Sequence, residues 1–280
     1  MTLKILAISD IHAHFSDLEE IVEHIKTLDQ KFDLILVAGD FSANTHQFPP
    51  SENPQIMSRI TELLKPIAPI YGVLGNDDDP TINLEEYGVI SLENKAISIG
   101  NWTFVGFGGA LKTLVIPPNP AQTLETFQKK ALDGVNLWND EIVIPTLKTT
   151  LDKVPKTQHL CMVTHYHPDA VFPSRGKHPL LGSKGLRAVL MRYRPKLWLC
   201  GHIHPQVGFR QFFPPTGTLL IRVTCVISDT DYHNGNPFGK VYWILELNDD
   251  GKFEVSYKML ATPESVENQE GLQDSQDDLR

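Results

Sequence analysis

The chain has 280 residues, 41% of them hydrophobic, enough for one large core or two modest ones, and regular strand signals along its length favour one domain. Its 34 acidic against 25 basic residues give a formal charge of -9, a field that disfavours general binding to a nucleic-acid backbone. No segment approaches the roughly twenty apolar residues that span a bilayer, and the apolar start is too short for a secretion signal, so a cytoplasmic protein is expected.

Lys4–Ser9 and Leu34–Ala38 are short apolar runs without helical spacing and predict buried strands. Between them Ser16, with Glu19 three residues on, has the form of a capping box, and Leu18, Ile21, Val22 and Ile25 follow at helical spacing. Ile56, Ile60, Leu63 and Leu64 make a second helix face before Pro66, with a strand at Ile70–Leu74. Such strand–helix–strand units predict a parallel sheet. Gly100-Asn101 between Ala96–Ile99 and Trp102–Phe107 predicts a hairpin. Gly106-Phe107-Gly108-Gly109 lacks the Lys and Ser/Thr of a phosphate-binding loop and reads as a tight turn.

The stretch 111–156 is Pro-rich first and then helical, and is expected to be an insertion or cap near the site. Strand signals return at Leu160–Thr164, Leu197–Cys200, Leu219–Ile227, Val241–Leu247 and Phe253–Leu260, with a helix over Ser183–Arg192. The expected domain covers 1–261. Residues 262–280 carry six acids and almost no large apolar side chain, which predicts a disordered acidic tail. The expected fold class is α/β in layers, two packed sheets with helices outside. Cys161, Cys200 and Cys225, odd in number and set in apolar runs, predict buried thiols in a reducing compartment.

Five predicted strands end in residues that bind metals: Asp10-Ile11-His12, Gly39-Asp40, Gly75-Asn76-Asp77, Thr164-His165 and Gly201-His202-Ile203-His204. Strand carboxyl ends line one edge of an open α/β sheet, where segments distant in sequence converge. One such pair alone is a weak signal; five in succession are not. Oxygen and imidazole donors without thiolate suit manganese, iron or zinc. Seven ligands, Asp10, His12, Asp40, Asn76, His165, His202 and His204, exceed one tetrahedral site and fit two metal ions with a bridging carboxylate. Such a pair clamps a phosphoryl group and makes hydroxide available near neutral pH.

The order of these motifs resembles the calcineurin-like metallophosphoesterase superfamily over Leu3 to about Leu247. The resemblance implies a four-layer sandwich of two mixed β-sheets flanked by helices. It also implies one metal on Asp10, His12 and His204, the other on Asn76, His165 and His202, Asp40 between them, and Asn76 touching substrate. Many active members have Gly-Asn-His, whose histidine protonates the leaving oxygen; this chain has Gly75-Asn76-Asp77. Two adjacent cations would hold Asp77 low, so the proton donor is sought among His14, His46, His167 and His178, with His14 the first choice.

Asn76, His165, Asp77 and His14 are thus the candidate catalytic residues. Arg175, Lys177 and His178, after the His165 loop, join Asn76 as candidate substrate contacts. The expected activity is hydrolysis of a phosphomonoester or phosphodiester by a metal-bridging hydroxide, on a small phosphate ester. The alternative is a protein-interaction scaffold of the same fold, which the missing histidine would suit.

Overall fold

The computed structural model describes residues 1–42, 49–112, 136–172, 182–204, 208–223, 226, 229–230 and 237–260. Its strands are β1 (Thr2–Ile8), β2 (Leu34–Val37), β3 (Ile70–Gly72), β4 (Val89–Ser91), β5 (Ala96–Ile99), β6 (Trp102–Phe107), β7 (Ala110–Leu111), β8 (Leu137–Trp138), β9 (His159–Thr164), β10 (Leu197–Cys200), β11 (Arg210–Phe213), β12 (Thr218–Arg222), β13 (Asp229–Thr230), β14 (Pro237–Phe238), β15 (Val241–Asn248) and β16 (Phe253–Met259). The helices are α1 (Phe15–Thr27), α2 (Asn53–Leu64), α3 (Val143–Leu151) and α4 (Lys184–Tyr193).

Two six-stranded sheets form, ordered β16-β15-β1-β2-β3-β4 and β11-β12-β10-β9-β6-β5. Both are mixed: β1 to β4 are mutually parallel with β15 and β16 antiparallel beside them, and β6, β9, β10 and β12 are parallel with antiparallel edges at β5 and β11.

Alternation along each strand sorts the side chains into layers. Leu3, Ile5 and Ala7 of β1 meet Trp102, Phe104, Cys161, Val163, Leu197 and Leu199 between the sheets. Leu6 and Ile8 of the same strand face the other way, onto Leu18, Ile21, Val22 and Ile25 of α1 and Ile56, Ile60 and Leu64 of α2. On the far side, Val105, Met162 and Trp198 pack under Leu147 of α3 and Leu190 of α4. Each such fully buried aliphatic contributes about 1.5–3 kcal/mol. The result is helix, sheet, sheet, helix, as expected for two packed sheets.

Local expectations need correction in several places. There is no capping box at Ser16: α1 starts at Phe15 with His14 as N-cap and no side-chain cap. The preceding loop is held by main chain instead, Ile11 and His12 donating to the Asp40 carbonyl and Ala13 to that of Phe41, so the helix leaves the loop directly. Strand β3 stops at Gly72 because the N–H groups of Leu74 and Gly75 turn to the carboxylates of Glu93 and Asp78. Strand β12 stops at Arg222, after which Val223 donates to Cys200 and Val226 crosses to Ser9.

Of the 111–156 stretch, α3 packs in the outer helical layer beside α4, and Asn136 donates its backbone N–H to the Asn76 carbonyl at 2.9 Å. Residues 113–135 and the predicted tail from 262 onward lie outside the described residues. Cys161 and Cys200 are buried free thiols, whereas Cys225 lies outside the described residues. No helix among the described residues is long and apolar enough to cross a membrane.

Candidate metal centre

Strands β1, β2 and β3 of one sheet and β9 and β10 of the other hand off to loops that meet at one edge of the sandwich. Among the described residues nine non-glycine positions have positive φ, and five are here: Asp10 (54°), His12 (46°), Ala13 (58°), Asp40 (51°) and His202 (69°). Left-handed backbone at non-glycine residues costs on the order of 1–3 kcal/mol each and concentrates at functional sites. Two glycines let the loops touch. A Cβ on Gly75 would lie 1.9 Å from Asp40 Oδ1, and one on Gly201 would lie 2.1 Å from Ser9 Oγ and 2.7 Å from Asp10 Oδ2.

The side chains form two linked groups. In one, the Nε2 atoms of His12 and His204 lie 3.1 Å apart and His204 Nε2 is 3.3 Å from Asp10 Oδ1. In the other, Asn76 Oδ1 lies 2.8 Å from His165 Nε2 and 2.7 Å from His202 Nδ1. Asp40 Oδ2 faces both, 3.5 Å from His12 Nε2 and 3.2 Å from His165 Nε2. Asp77 closes the ring: its N–H donates to Asp40 Oδ1 at 2.8 Å, its Oδ1 accepts from Asn76 Nδ2 at 2.7 Å, and its Oδ2 is 3.5 Å from His12 Nδ1.

This donor set fits metal. Ligands about 2.1 Å from a cation stand about 3.0–3.4 Å apart in octahedral or tetrahedral arrangements, close to the spacings here. Three groupings can each hold an ion: Asp10, His12 and His204; Asp10, Asp40 and His165; and His12, Asp40 and Asp77. Orientation is built in as well. His165 Nδ1 lies 2.8 Å from the Ala38 carbonyl and must donate to it, which turns Nε2 toward Asn76 Oδ1 and Asp40 Oδ2, where a metal ion would displace its proton.

Burial sets the electrostatics. It lowers His12 to about 3 and holds His202 well below its ordinary value, so these imidazoles are neutral. Burial also opposes charge on His165 and His204, but the carboxylates of Asp40 and Asp10 raise both. Asp10 is pushed up by burial, yet the hydrogen bond and charge of His204, with His165 and His12, bring it below the carboxylate range. Burial raises Asp40 against the pull of His165. Without metal, burial raises Asp77, with the charges of Asp78 and Asp10 adding to it and His165 and the Asn76 hydrogen bond opposing it.

Two positioning carboxylates were not singled out in sequence. Asp78, fully buried, accepts from the N–H groups of Phe41 (3.2 Å), Ser42 (2.7 Å) and Gly75 (2.7 Å) and from Ser42 Oγ (3.0 Å), tying the Asp40 loop to the Asn76 loop. Glu93 accepts from Leu74 (2.9 Å) and Gly108 (3.0 Å), clamping the ends of β3 and β6 across the two sheets. The middle Asp of the run Asp77-Asp78-Asp79 and a lone Glu after β4 carry no periodic signal.

Other candidates fall elsewhere. His14 sits at the start of α1 with its side chain 47% exposed, 3.8 Å from Asp17 Oδ2. His167 is buried with neither ring nitrogen hydrogen-bonded among the described residues, its ring tilted against Tyr166, whose ring also contacts His202. His46, Arg175, Lys177 and His178 lie outside the described residues.

The profile of the calcineurin-like phosphoesterase family matches residues 3–206, almost three quarters of the chain. No curated protein matches it in sequence. Among solved structures, it resembles TT1561 of Thermus thermophilus with TM-score 0.56 at 13% identity, covering 91% of this chain and 99% of that one. It resembles a dimetal phosphatase from Danio rerio with TM-score 0.53 at 13% identity, covering 90% and 98%. Phosphopantetheinyl hydrolase from Mycobacterium tuberculosis aligns with TM-score 0.52 at 18% identity, covering 80% and 90%. At these identities the likeness is one of fold. The profile match, over a sandwich whose strand ends gather an Asp/His cluster able to hold metal, shows that the chain belongs to the calcineurin-like phosphoesterase family, metal-dependent hydrolases of phosphoric esters.

Proposed function

We propose that the chain hydrolyses a small phosphomonoester or phosphodiester at a dinuclear centre. Asp10, His12 and His204 would hold one ion, and Asn76, His165 and His202 the other. The observation that carries this is Asp40 Oδ2, which faces an imidazole of each group at 3.5 and 3.2 Å, the place of a bridging ligand. Two ions held there would polarise the phosphoryl oxygens and lower the pKa of coordinated water. The oxygen and imidazole donors suit manganese, iron or zinc, and the buried free thiols suit a reducing, cytoplasmic setting.

The chain's own groups orient the reaction. Asn76 keeps its carbonyl oxygen on His165 and His202 by donating its amide to Asp77, so a substrate oxygen arriving at the cluster meets the amide edge. Asp77, with its side chain 21% exposed, is the carboxyl group of the cluster that substrate can reach, whereas Asp10 and Asp40 are shut in. It stands in the position where relatives carry the motif histidine, but two bound cations would hold it ionised, so it would accept rather than give a proton, while His14 leans toward Asp17.

The test is metal content by elemental analysis together with turnover of an aryl phosphomonoester and an aryl phosphodiester, with manganese added. The expected result is two ions per chain in the wild type. Asp40→Asn should lose metal and reduce turnover by roughly 100-fold or more, beyond the effect of disturbing a supporting residue. A wild-type protein that takes up no metal and turns over neither ester would overturn the proposal in favour of a scaffold.

A further inference from the structure

At the opposite end of β9 and β10 from the metal centre, a cavity of about 500 Å³ opens where α3 and α4 finish. Lys156, His159, Arg192, Arg194 and Lys196 line it, and Asp152 is the only carboxylate among its described lining residues. This gathering stands out in a chain with nine more acids than bases, 34 against 25. Asp152 is already engaged, accepting from Lys148 Nζ at 2.6 Å and Tyr193 OH at 2.7 Å, with Arg192 at 3.8 Å. Arg194 and Lys196 donate to the carbonyls of Pro215 and Gly251, each at 3.1 Å. Neither they nor Lys156 comes within ion-pair distance, 4.0 Å, of a carboxylate among the described residues.

Helix carboxyl ends attract cations, which accounts for Arg192 and Arg194 at the end of α4. It does not account for Lys156, in the loop before β9, or for His159 and Lys196 at the strand starts. Those two are held by the β15–β16 turn: Gly251, at φ 79°, sits so close that a Cβ would lie 2.5 Å from Lys196 Nζ and 2.6 Å from His159 Cε1. His159 Nε2 also lies 3.2 Å from the Asp249 carbonyl. The fold therefore fixes Lys196 and the His159 ring in the wall, and the cavity's size falls within the range of small-molecule sites.

We infer that this cavity is a second anion site, for a small molecule bearing two or more phosphate-type charges. It is separate from the metal centre: β9 runs six residues from His159 to Thr164, roughly 20 Å at strand rise, before His165.

The probe is methylenediphosphonate, a diphosphate that resists hydrolysis, titrated calorimetrically into the full-length, metal-loaded protein. Two binding events are expected. Lys156→Glu combined with Arg192→Glu, both on exposed side chains, should weaken one event by roughly tenfold or more while leaving aryl phosphate turnover unchanged. Asp40→Asn should remove the other event only. Lys196→Met serves as the second variant if the double one does not fold. Loss of all binding in Asp40→Asn, or unchanged binding in the charge-reversed proteins, overturns the inference. Failure of the metal-centre assignment would instead leave Asp40→Asn without effect while charge reversal still acts.

Discussion

At the carboxyl ends of β1, β2, β3, β9 and β10, carboxylates, imidazoles and the Asn76 amide stand 2.7–3.5 Å from one another, largely buried, on backbone that is left-handed at Asp10, Asp40 and His202. At the amino ends of β9 and β10, cationic heads stand apart, partly or fully exposed, and lean on neutral carbonyls. One end holds charge by mutual neutralisation where the dielectric is low; the other leaves charge to solvent. The contrast teaches that sensitivity to substitution along the same strands should follow burial of the polar groups and not their number.

Asp78→Ala tests the crowded end most severely. It removes the acceptor of three backbone N–H groups, those of Phe41, Ser42 and Gly75, in a fully buried place. Each orphaned donor costs about 1–3 kcal/mol, so a loss of about 3 kcal/mol or more is expected in urea unfolding. Metal affinity should fall as well, because Asp40 and Asn76 flank the loops that Asp78 joins. A loss below about 1 kcal/mol would show that water replaces the carboxylate and would break the comparison.

What could be read in the sequence divides along the same line. Asp10, His12, Asp40, Asn76, His165, His202 and His204 stood out because each follows an apolar run, where such residue types are conspicuous, and the structure does gather them. The sandwich was legible from the long buried strands, and the hairpin from Gly100-Asn101. Strands β4 and β11, only partly buried, lack the continuous apolar run that marks β2 and β10. Asp78 and Glu93 act on backbone N–H groups of other segments, some more than thirty residues away in the case of Phe41 and Ser42, and no local pattern marks that. The apparent capping box at Ser16 lost to main-chain bonds donated by Ile11, His12 and Ala13 to the carbonyls of Asp40 and Phe41, which only the tertiary structure supplies.

Glu93→Gln sharpens the comparison through pH. Burial raises Glu93 above its ordinary 4.5 despite the hydrogen bonds from Leu74 and Gly108. The folded protein therefore binds this proton more tightly than the unfolded chain. Its contribution to stability is fully present below pH 4.5 and fades as pH rises through the raised value. The amide removes that dependence and can still accept one of the two N–H bonds. Urea midpoints taken from about pH 4 to about pH 7 should fall less steeply in the variant than in the wild type. A constant difference between the two proteins over that range would mean that Glu93 does not titrate differently on folding.

The smallest effect is expected from a pair outside the crowded edge. Lys4 of β1 and Glu246 of β15 are direct cross-strand neighbours, Nζ to Oε1 2.8 Å, with side chains 27% and 38% exposed. Solvent screens such a pair and side-chain ordering offsets part of its attraction, so Glu246→Ala should change stability by about 1 kcal/mol or less. Lys4 also keeps its contact with Gln30 Oε1 at 3.1 Å, so no charge is stranded. The difference should shrink further in high salt, unlike that of Asp78→Ala, whose orphaned N–H groups are out of reach of the ions. An effect as large as that of Asp78→Ala would mean that exposed charge holds the sheets as firmly as buried charge does, and burial would no longer explain the contrast between the two ends.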